Sequence, residues 1–521
     1  MGQKERCFVP LVNVSLEELV PQDHFYRHLD KTLDLSFVRE FVQETYAGGG
    51  RPSIDPIVFF KLQLVLFFEG IRSERQLMRH AADRLSVRWY LGYDLGEPLP
   101  DHSSLTRIRE RYGVEVFRRF FERIVEQCQA AGLVWGKELY FDGTKVAANA
   151  GKESLKPRFY VDAHLATLFA TAGEGGAEGT DQASSHEASA HNDAVQSEEM
   201  QAPMQLPVAL SEEMREDLTQ TNKERHDWIA ALGAQDRKVT GRCYQRVADL
   251  QVSTTDPDAT LMQTKHGVDL GYHTHYVVDG GKARIILHVL VTPSEVMDNQ
   301  PMLDLLWRVR FRWKLWPRQA TGDRKYGTED NLLAIEDQGI RAYIPIPDMD
   351  HRTEFFSSDR FRYEAERDVY ICPAGKDLRF DRPHSTERSR RYRARAKDCN
   401  HCPLKAQCTT SKQGRTLCRS VDEHYLDRVR GYHSTEPYKK ALRKRQVWVE
   451  PLFAEGKDWH GMRRFRLRRL WRVNCEALMR AGGQNLKRLL KKRGWGRRPC
   501  PAEALHAPSF WSLLGVCLIL F

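Results

Sequence analysis

An almost uninterrupted apolar run at residues 57–68 predicts a buried helix in the first part of the chain. Only Lys61 and Gln63 interrupt it, as expected for a helix enclosed by the core or by a second subunit. The run is too short to cross a bilayer. The segments ERQLMRHAADRLSVRWYLG and DHSSLTRIRERYG predict further short helices, with a capping serine ahead of a basic one. We therefore expect a helical domain over 1–130, either a helix-turn-helix-like DNA module or a plain bundle.

The later pattern alternates between strand and helix. Alternating runs at 267–278 and 283–292, joined by DGGK, predict a hairpin. Helical spacing follows near 300–312 and 328–338, and RAYIPIP from Arg341 predicts another strand. Together with the earlier strand ELYFDGT, this succession predicts the fold class α/β. A further helix is predicted around 211–232.

Two segments differ from a globular core. Residues 171–214 contain no Lys or Arg and are dominated by small, amide and acidic residues, which predicts a disordered acidic insert. We interpret its His186 and His191 as solvated loop residues rather than metal ligands. The terminal SFWSLLGVCLILF, within a tail at 496–521, is apolar but too short to span a membrane.

Three acidic residues stand in distinctive local sequences: Asp142 in LYFDGTKVAANA, Asp323 in TGDRKYGTEDN and Glu450 in RQVWVEPLFAEGK. The first two are predicted at strand ends, and Glu450 on a helix that Pro451 begins or kinks. Converging carboxylates repel one another unless cations separate them, and oxygen ligands favour Mg²⁺ or Mn²⁺, which serve phosphodiester chemistry. The alternative is that each is a solvated surface group. Glu455 competes with Glu450 for the third position, pointing about 140° away on a helix.

A group of cysteines forms a second candidate site: Cys372, Cys399, Cys402 and Cys408. Four thiols this close in sequence suit a tetrahedral structural zinc ion. The first residues, MGQKERCFVP, lack the apolar stretch of a signal peptide, so we expect a cytoplasmic protein without disulfides. Reduced, partly buried thiols are the alternative, and His401 or Cys418 could replace one ligand.

Charge indicates a nucleic-acid partner. The formal net charge is +10, and residues 451–500 alone contain 15 Lys or Arg against 3 acidic residues. Such a segment can neutralise phosphates and release counterions. The alternative is a solvated basic helix face.

These motifs resemble those of the DDE transposases of bacterial insertion sequences, from about residue 10 to 495. Glu450 and Lys457 match the E-(6)-K part of a Y-(2)-R-(3)-E-(6)-K-like signature. The upstream part departs from it, because Gln446 stands four residues before the glutamate, Arg445 stands five before, and Tyr438 is farther away than the signature asks. The blocks DPDATLMQTKHGVDLGYHTHYVVD and HGMRRFRLRRLWRVNCEALMRAGGQNLKRLL also resemble this family.

The resemblance implies an RNase H-like catalytic core, a helical N-terminal domain that binds the element's ends, and a Cys-rich zinc-type insertion. We expect the helical DNA-end-binding domain at 1–130, the first part of the core at 131–165, the acidic insert at 171–214 and the rest of the core at 215–347. The Cys-rich insertion is expected at 348–437, the helix of Glu450 with the basic C-terminal helices at 438–495, and the tail at 496–521.

It also implies metal-dependent cleavage at inverted repeats and strand transfer to target DNA by a homodimer or higher synaptic complex at the nucleoid, with Asp142, Asp323 and Glu450 as ligands. Residues predicted to contact DNA are Lys457, Arg463, Arg464, Arg466, Arg391 and Arg393. The alternatives are an inactive DNA-binding regulator or element remnant, and an RNase H-like nuclease unrelated to transposition.

Overall fold

The computed structural model describes residues 15–45, 54–157, 251–265, 267–346, 354–383 and 389–496. Its first part is helical: α1 (Leu16–Leu19), α2 (Phe25–Thr32), α3 (Phe37–Val42), α4 (Pro56–Phe68), α5 (Glu74–Asp83), α6 (Leu85–Leu91) and α7 (His102–Ala130). Helix α4 is mostly buried, which confirms the prediction from its apolar run. Asp55 caps it ahead of a proline in the first turn. Helix α7 is interrupted at Gly113, whose φ of 61° is not helical.

A six-stranded sheet forms the centre of the molecule. In chain order the strands are β1 (Glu138–Ala147), β2 (Leu155–Pro157), β3 (Gln251–Ser253), β4 (Thr260–Thr264), β5 (Gly267–Asp279), β6 (Ile286–Pro293), β7 (Gln319–Thr321) and β8 (Arg341–Tyr343). Strands β2 and β3 pair only with each other. In the main sheet, β1 lies between antiparallel β5 and parallel β7, and β8 continues the parallel side. Strand β6 pairs antiparallel with β5, and β4 pairs with the first residues of β5.

The predicted order of elements after the hairpin is confirmed. Helix α8 (Met302–Trp313) connects β6 to β7, and α9 (Glu329–Asp337) connects β7 to β8. Strand β7 is parallel to β1, and β8 is parallel to β7. Parallel neighbours need a crossover connection, and α8 and α9 are parts of these connections. The resulting strand order is β6-β5-β1-β7-β8.

A second sheet occupies the predicted insertion. Its strands are β9 (Arg362–Glu364), β10 (Val369–Ile371), β11 (Asp377–Pro383), β12 (Ser389–Ala394) and β13 (Thr416–Ser420), paired in the order β13-β12-β11-β10-β9. The short helices α10 (Ala396–Asn400) and α11 (Lys405–Cys408) follow β12. A separate small core, which includes Tyr370, Leu378 and Tyr392, holds this sheet together. The insertion is therefore a structural unit with its own hydrophobic centre.

Four helices complete the described chain: α12 (Glu423–Tyr432), α13 (Glu436–Trp448), α14 (Glu450–Trp459) and α15 (Leu470–Lys492). The chain breaks between α13 and α14 at Val449, and Pro451 falls in the first turn of α14. A proline fits there because its missing N–H would have no helical partner. Of the two positions predicted for Pro451, the structure shows the first turn.

Helix α15 lies between the N-terminal helices and the main sheet. It packs against α7 and α4 on one side and β6 on the other. Asn485 donates to and accepts from the backbone of Ile286 (2.8 and 2.9 Å), and Asn474 does the same at Val291 (3.0 and 2.9 Å). These side chains satisfy backbone groups that an edge strand leaves unpaired. One continuous hydrophobic core results, shared by the helical part and the sheet.

Three predicted features lie outside the described residues: the acidic insert at 171–214, the helix around 211–232, and the tail after residue 496.

Candidate active site

The sheet register places Asp142 and Asp323 at equivalent positions of neighbouring parallel strands. Tyr140 of β1 pairs with Thr321 of β7, and each aspartate follows two residues later. The two aspartates therefore lie at the same level of adjacent chain segments. The predicted strand-end position is right for Asp323, which lies two residues after the last residue of β7. It is wrong for Asp142, because β1 stays paired with β5 as far as Ala147.

Asp142 is buried and held by two donors. The backbone N–H of Gly143 donates to its Oδ1 (2.9 Å), and Arg445 Nη1 donates to its Oδ2 (2.8 Å). The pKa of Asp142 is raised to about 6, mainly by burial and in smaller part by the negative charges of Asp323 and Glu450, against the lowering effects of Arg445 and the Gly143 N–H. Asp323 and Glu450 are therefore close enough to Asp142 to act on it electrostatically.

Glu450 is the first residue of α14 and is open to solvent. Its side chain is 57 % exposed, against 12 % for Asp142, and Arg445 Nη2 lies 3.8 Å from its Oε1. Arg445 thus lies between two of the three carboxylates. No role was predicted for this arginine, because it stands five residues before Glu450, whereas the family signature has an arginine four residues before its glutamate.

The competing candidate, Glu455, is occupied elsewhere. Its carboxylate pairs with Lys487 (2.6 Å) and Arg488 (3.2 Å) on α15. Although burial alone would raise the pKa of Glu455, hydrogen bonds from His460 and Lys487 hold it well below its usual range. The structure therefore favours Glu450 as the third carboxylate.

Two lysines adjoin these carboxylates. Burial and the charge of Arg463 lower the pKa of Lys457, whereas the negative charge of Asp142 raises it. Lys325 donates its backbone N–H to Asp323 Oδ1 (2.9 Å) and its ammonium to Asp298 Oδ2 (2.6 Å). Neither Lys325 nor Asp298 was singled out from the sequence, although Lys325 is in the same motif as Asp323.

Within the described part of the chain, neither predicted metal site brings three ligand atoms within 4.8 Å of one another. Across the described ranges, the one set of three or more candidate ligands within 4.8 Å of one another is His273, His275 and Asp298. No three of the predicted carboxylates or of the four cysteines are that close. In the carboxylate site, Arg445 supplies the positive charge between Asp142 and Glu450.

The four cysteines surround one small cavity of the insertion, together with Lys376 and Arg415. The N–H of Lys376 donates to the sulfur of Cys372 (3.3 Å), and the N–H of Arg415 donates to that of Cys399 (3.4 Å). Burial raises the pKa of Cys408, as do the other three thiols. The predicted cysteines are thus brought together, with N–H groups that would stabilise thiolates.

The residues predicted to contact DNA have different surroundings. Arg463 and Arg464 are exposed, and Arg463 pairs with Asp458. Arg466 instead pairs with Glu74 (2.9 Å), which also pairs with buried Arg109. Its guanidinium therefore joins the C-terminal segment to α5.

On the arginine-rich strand β12, Arg391 and Arg393 both approach Asp381 (3.8 and 3.2 Å). The neighbouring acid on β11 partly neutralises these two arginines.

Comparison with known families identifies the class of protein. A transposase domain (DUF772) matches residues 14–111, and a transposase DDE domain matches residues 371–490. The first range covers N-terminal helices, and the second runs from the end of β10 into α15. Together the two matches support a DDE transposase of the insertion-sequence type.

The second matched range contains Glu450 and the four cysteines, whereas Asp142 and Asp323 fall outside both ranges. No curated protein and no solved structure matches the chain. None of the helices within the described ranges is both long and apolar enough to cross a membrane.

Proposed function

We propose that this transposase cleaves DNA at its element's inverted repeats and joins the freed 3′-hydroxyl to target DNA, using Asp142, Asp323 and Glu450 as one catalytic site. The observation that carries the proposal is the register of β1 and β7. It sets Asp142 beside the strand that leads to Asp323, and the charges of Asp323 and Glu450 both act on Asp142, which supports a shared site.

The strand order supports an RNase H-like core. Three parallel strands, β1, β7 and β8, are flanked by the antiparallel hairpin β5–β6. This is the order of strand, hairpin, helix, strand, helix and strand that the family resemblance implies. The small five-stranded sheet then lies between the last core strand and the helix of the third carboxylate.

The carboxylate site suits Mg²⁺ or Mn²⁺. All three ligands are hard oxygen donors, and the pKa of Asp142 is raised mainly by burial and in smaller part by the charges of the other two carboxylates. When bound there by Asp142, Asp323 and Glu450, paired ions would polarise the scissile phosphate and lower the pKa of the attacking hydroxyl.

The protein's own groups orient the reacting parts. Arg445 holds Asp142 and keeps Glu450 near it, and the N–H of Lys325 fixes one oxygen of Asp323. Lys457 is seven residues after Glu450 on α14, about two turns away, and lies near Asp142. Its ammonium can pair with the phosphate that enters beside the carboxylates.

Exposed Arg463 and Arg464 extend this positive surface beyond α14. Phosphate contacts of this kind fix the register of a protein on DNA without reading its sequence. We assign Arg391 and Arg393 a weaker share, since Asp381 competes for both. Arg466, which pairs with Glu74, is assigned to the contact with the helical domain.

The remaining parts of the proposal follow from transposition itself. Two element ends must be held together, which calls for a homodimer or a higher synaptic complex. The substrate places the protein at the nucleoid of a bacterial cytoplasm. The Cys-rich insertion would hold a structural zinc ion through Cys372, Cys399, Cys402 and Cys408.

The substitution Asp323→Asn tests the proposal. It removes one ligand charge and keeps the side-chain size, so Mg²⁺-dependent cleavage of DNA with the element's own ends should fall below detection. Binding of those ends in a mobility-shift assay should stay within about two-fold, because phosphate contacts dominate affinity. The matched control is Asp330→Asn, an exposed residue of α9.

Undiminished cleavage by Asp323→Asn would overturn the assignment. Wild-type protein that binds the ends without cutting them would instead indicate an inactive regulator. Cleavage of arbitrary duplexes without joined products would indicate a nuclease unrelated to transposition.

A further inference from the structure

A second cluster of metal-binding side chains lies behind the carboxylates, on the opposite face of β1 and β5. Asp142 pairs across the sheet with Tyr276, whereas His275 pairs with Gly143. Because directly paired residues share a face and successive residues alternate, His273 and His275 point away from Asp142. Both histidines are buried, and buried Asp298, from the segment after β6, approaches them.

The three ligand atoms lie within 4.8 Å of one another, and one of the distances to Asp298 matches the spacing of two ligands on one ion. Oδ1 of Asp298 lies 3.4 Å from Nδ1 of His273 and 4.0 Å from Nδ1 of His275. Zinc bonds of about 2.0–2.1 Å in tetrahedral geometry place two ligands about 3.3 Å apart. The carbonyl of Val296, 3.1 Å from the same nitrogen of His273, is a hydrogen-bond partner in the absence of an ion.

His275 provides an independent indication that something is bound. Its ring is fully buried, and Nε2 is 2.9 Å from the hydroxyl of Thr292. Among the residues that the structure describes, none forms a hydrogen bond with its Nδ1, and the 4.0 Å to Oδ1 of Asp298 is too long for one. A buried polar atom without a partner is costly, and native proteins rarely keep one without a reason.

Gly143 of β1 lies directly against this cluster. A Cβ on Gly143 would come within 2.9 Å of Asp298 Oδ1 and 3.4 Å of His275 Nδ1. The absence of a side chain at this residue therefore lets Asp298 approach the histidines.

We propose that His273, His275 and Asp298 bind a zinc-class divalent cation that braces the back of the catalytic face. Two imidazoles and one carboxylate favour zinc or a neighbouring transition metal, whereas Mg²⁺ prefers oxygen ligands. This site is separate from the carboxylate site and from the cysteines, and it does not depend on the proposed reaction.

Lys325 connects the two faces. Its ammonium contacts Oδ2 of Asp298, leaving Oδ1 directed to the histidines, and its backbone N–H contacts Asp323. An ion that fixes Asp298 would therefore also fix the segment that presents Asp323. The bound cation is a positioning element and does not touch the reacting phosphate.

Metal stoichiometry of the full-length protein tests the proposal. Zn²⁺ or Co²⁺ is added in the presence of excess Mg²⁺, which saturates the carboxylate site, and bound metal is then measured after desalting. We expect His275→Asn to bind one equivalent less than wild type. The matched control is His288→Asn, another buried histidine of the same sheet, which should bind as much as wild type.

The Co²⁺ spectrum separates this site from the cysteines. The equivalent lost in His275→Asn should lack the intense sulfur-to-metal charge-transfer bands of thiolate ligands. Asp298→Asn supplies a second variant, expected to lose the same equivalent, if His275→Asn does not fold. Equal metal content in wild type and a folded variant of either residue, or a lost equivalent with thiolate bands, would overturn the proposal.

Discussion

Asp142, on β1, should lower the free energy of unfolding of the protein at neutral pH. Burial raises the pKa of Asp142 from its usual 3.8 to about 6, so the folded state holds this proton more tightly than the unfolded chain does. Stability therefore falls as pH rises through the window between these values. The shift of about two pH units corresponds to a decrease of about 3 kcal/mol in the free energy of unfolding. This decrease is fully present above about pH 6 and absent below about pH 4.

Asp142→Asn mimics the protonated acid and should remove this cost. In Mg²⁺-free buffer, we expect the variant to be more stable than wild type at pH 8 by up to about 3 kcal/mol, with the difference vanishing near pH 4. Thermal unfolding midpoints measured from pH 4 to 8 follow the effect. Added Mg²⁺ should raise the midpoint of wild type alone, because only wild type gains a full ligand set.

Asp298→Asn is the matched control, with the opposite expected sign. Although burial alone would raise the pKa of Asp298, the hydrogen bond from Lys325 and the charges of two histidines lower it. The ionised form is therefore stabilised, and its loss should lower the midpoint at neutral pH. A less stable Asp142→Asn at pH 8, or a difference from wild type that does not change with pH, would refute the reasoning.

Other substitutions test the remaining assignments. Glu450→Gln should abolish cleavage with little change in the unfolding midpoint, whereas Glu455→Gln should lose about 1–3 kcal/mol through its broken ion pairs to α15; the reverse pattern would exchange their roles. Arg463→Ala and Arg464→Ala should each reduce the slope of log affinity against log salt by about 0.9, and unchanged slopes would exclude phosphate contacts. Cys402→Ser should lower the zinc content of the purified protein, and unaltered content would contradict the Cys-rich zinc site.

The sequence predicted much of the central sheet because its signals are local. Alternating runs gave the hairpin, and periodic segments gave α8 and α9 to within a few residues. The end of β1 could not be predicted, since its continuation past Asp142 depends on pairing with β5, more than a hundred residues later. The carboxylates were found because each lies in an unusual local sequence.

The parts of the site that were missed depend on distant contacts. Arg445 looked like a displaced signature residue, because its contact with Asp142 joins residues 303 positions apart in the sequence. His273 and His275 looked like ordinary positions of an alternating strand, because nothing in the sequence links them to Asp298. A basic run also conceals which members face solvent, and Arg466 proved to be paired with Glu74.

The position of α15 has a consequence for how the protein is made. This helix closes the core shared by the N-terminal helices and the sheet, and its asparagines complete the edge of β6. It is also the last described element to leave the ribosome. We expect products that stop before residue 470 to remain unfolded and to be degraded, so that only chains translated almost to their end yield a protein able to hold DNA.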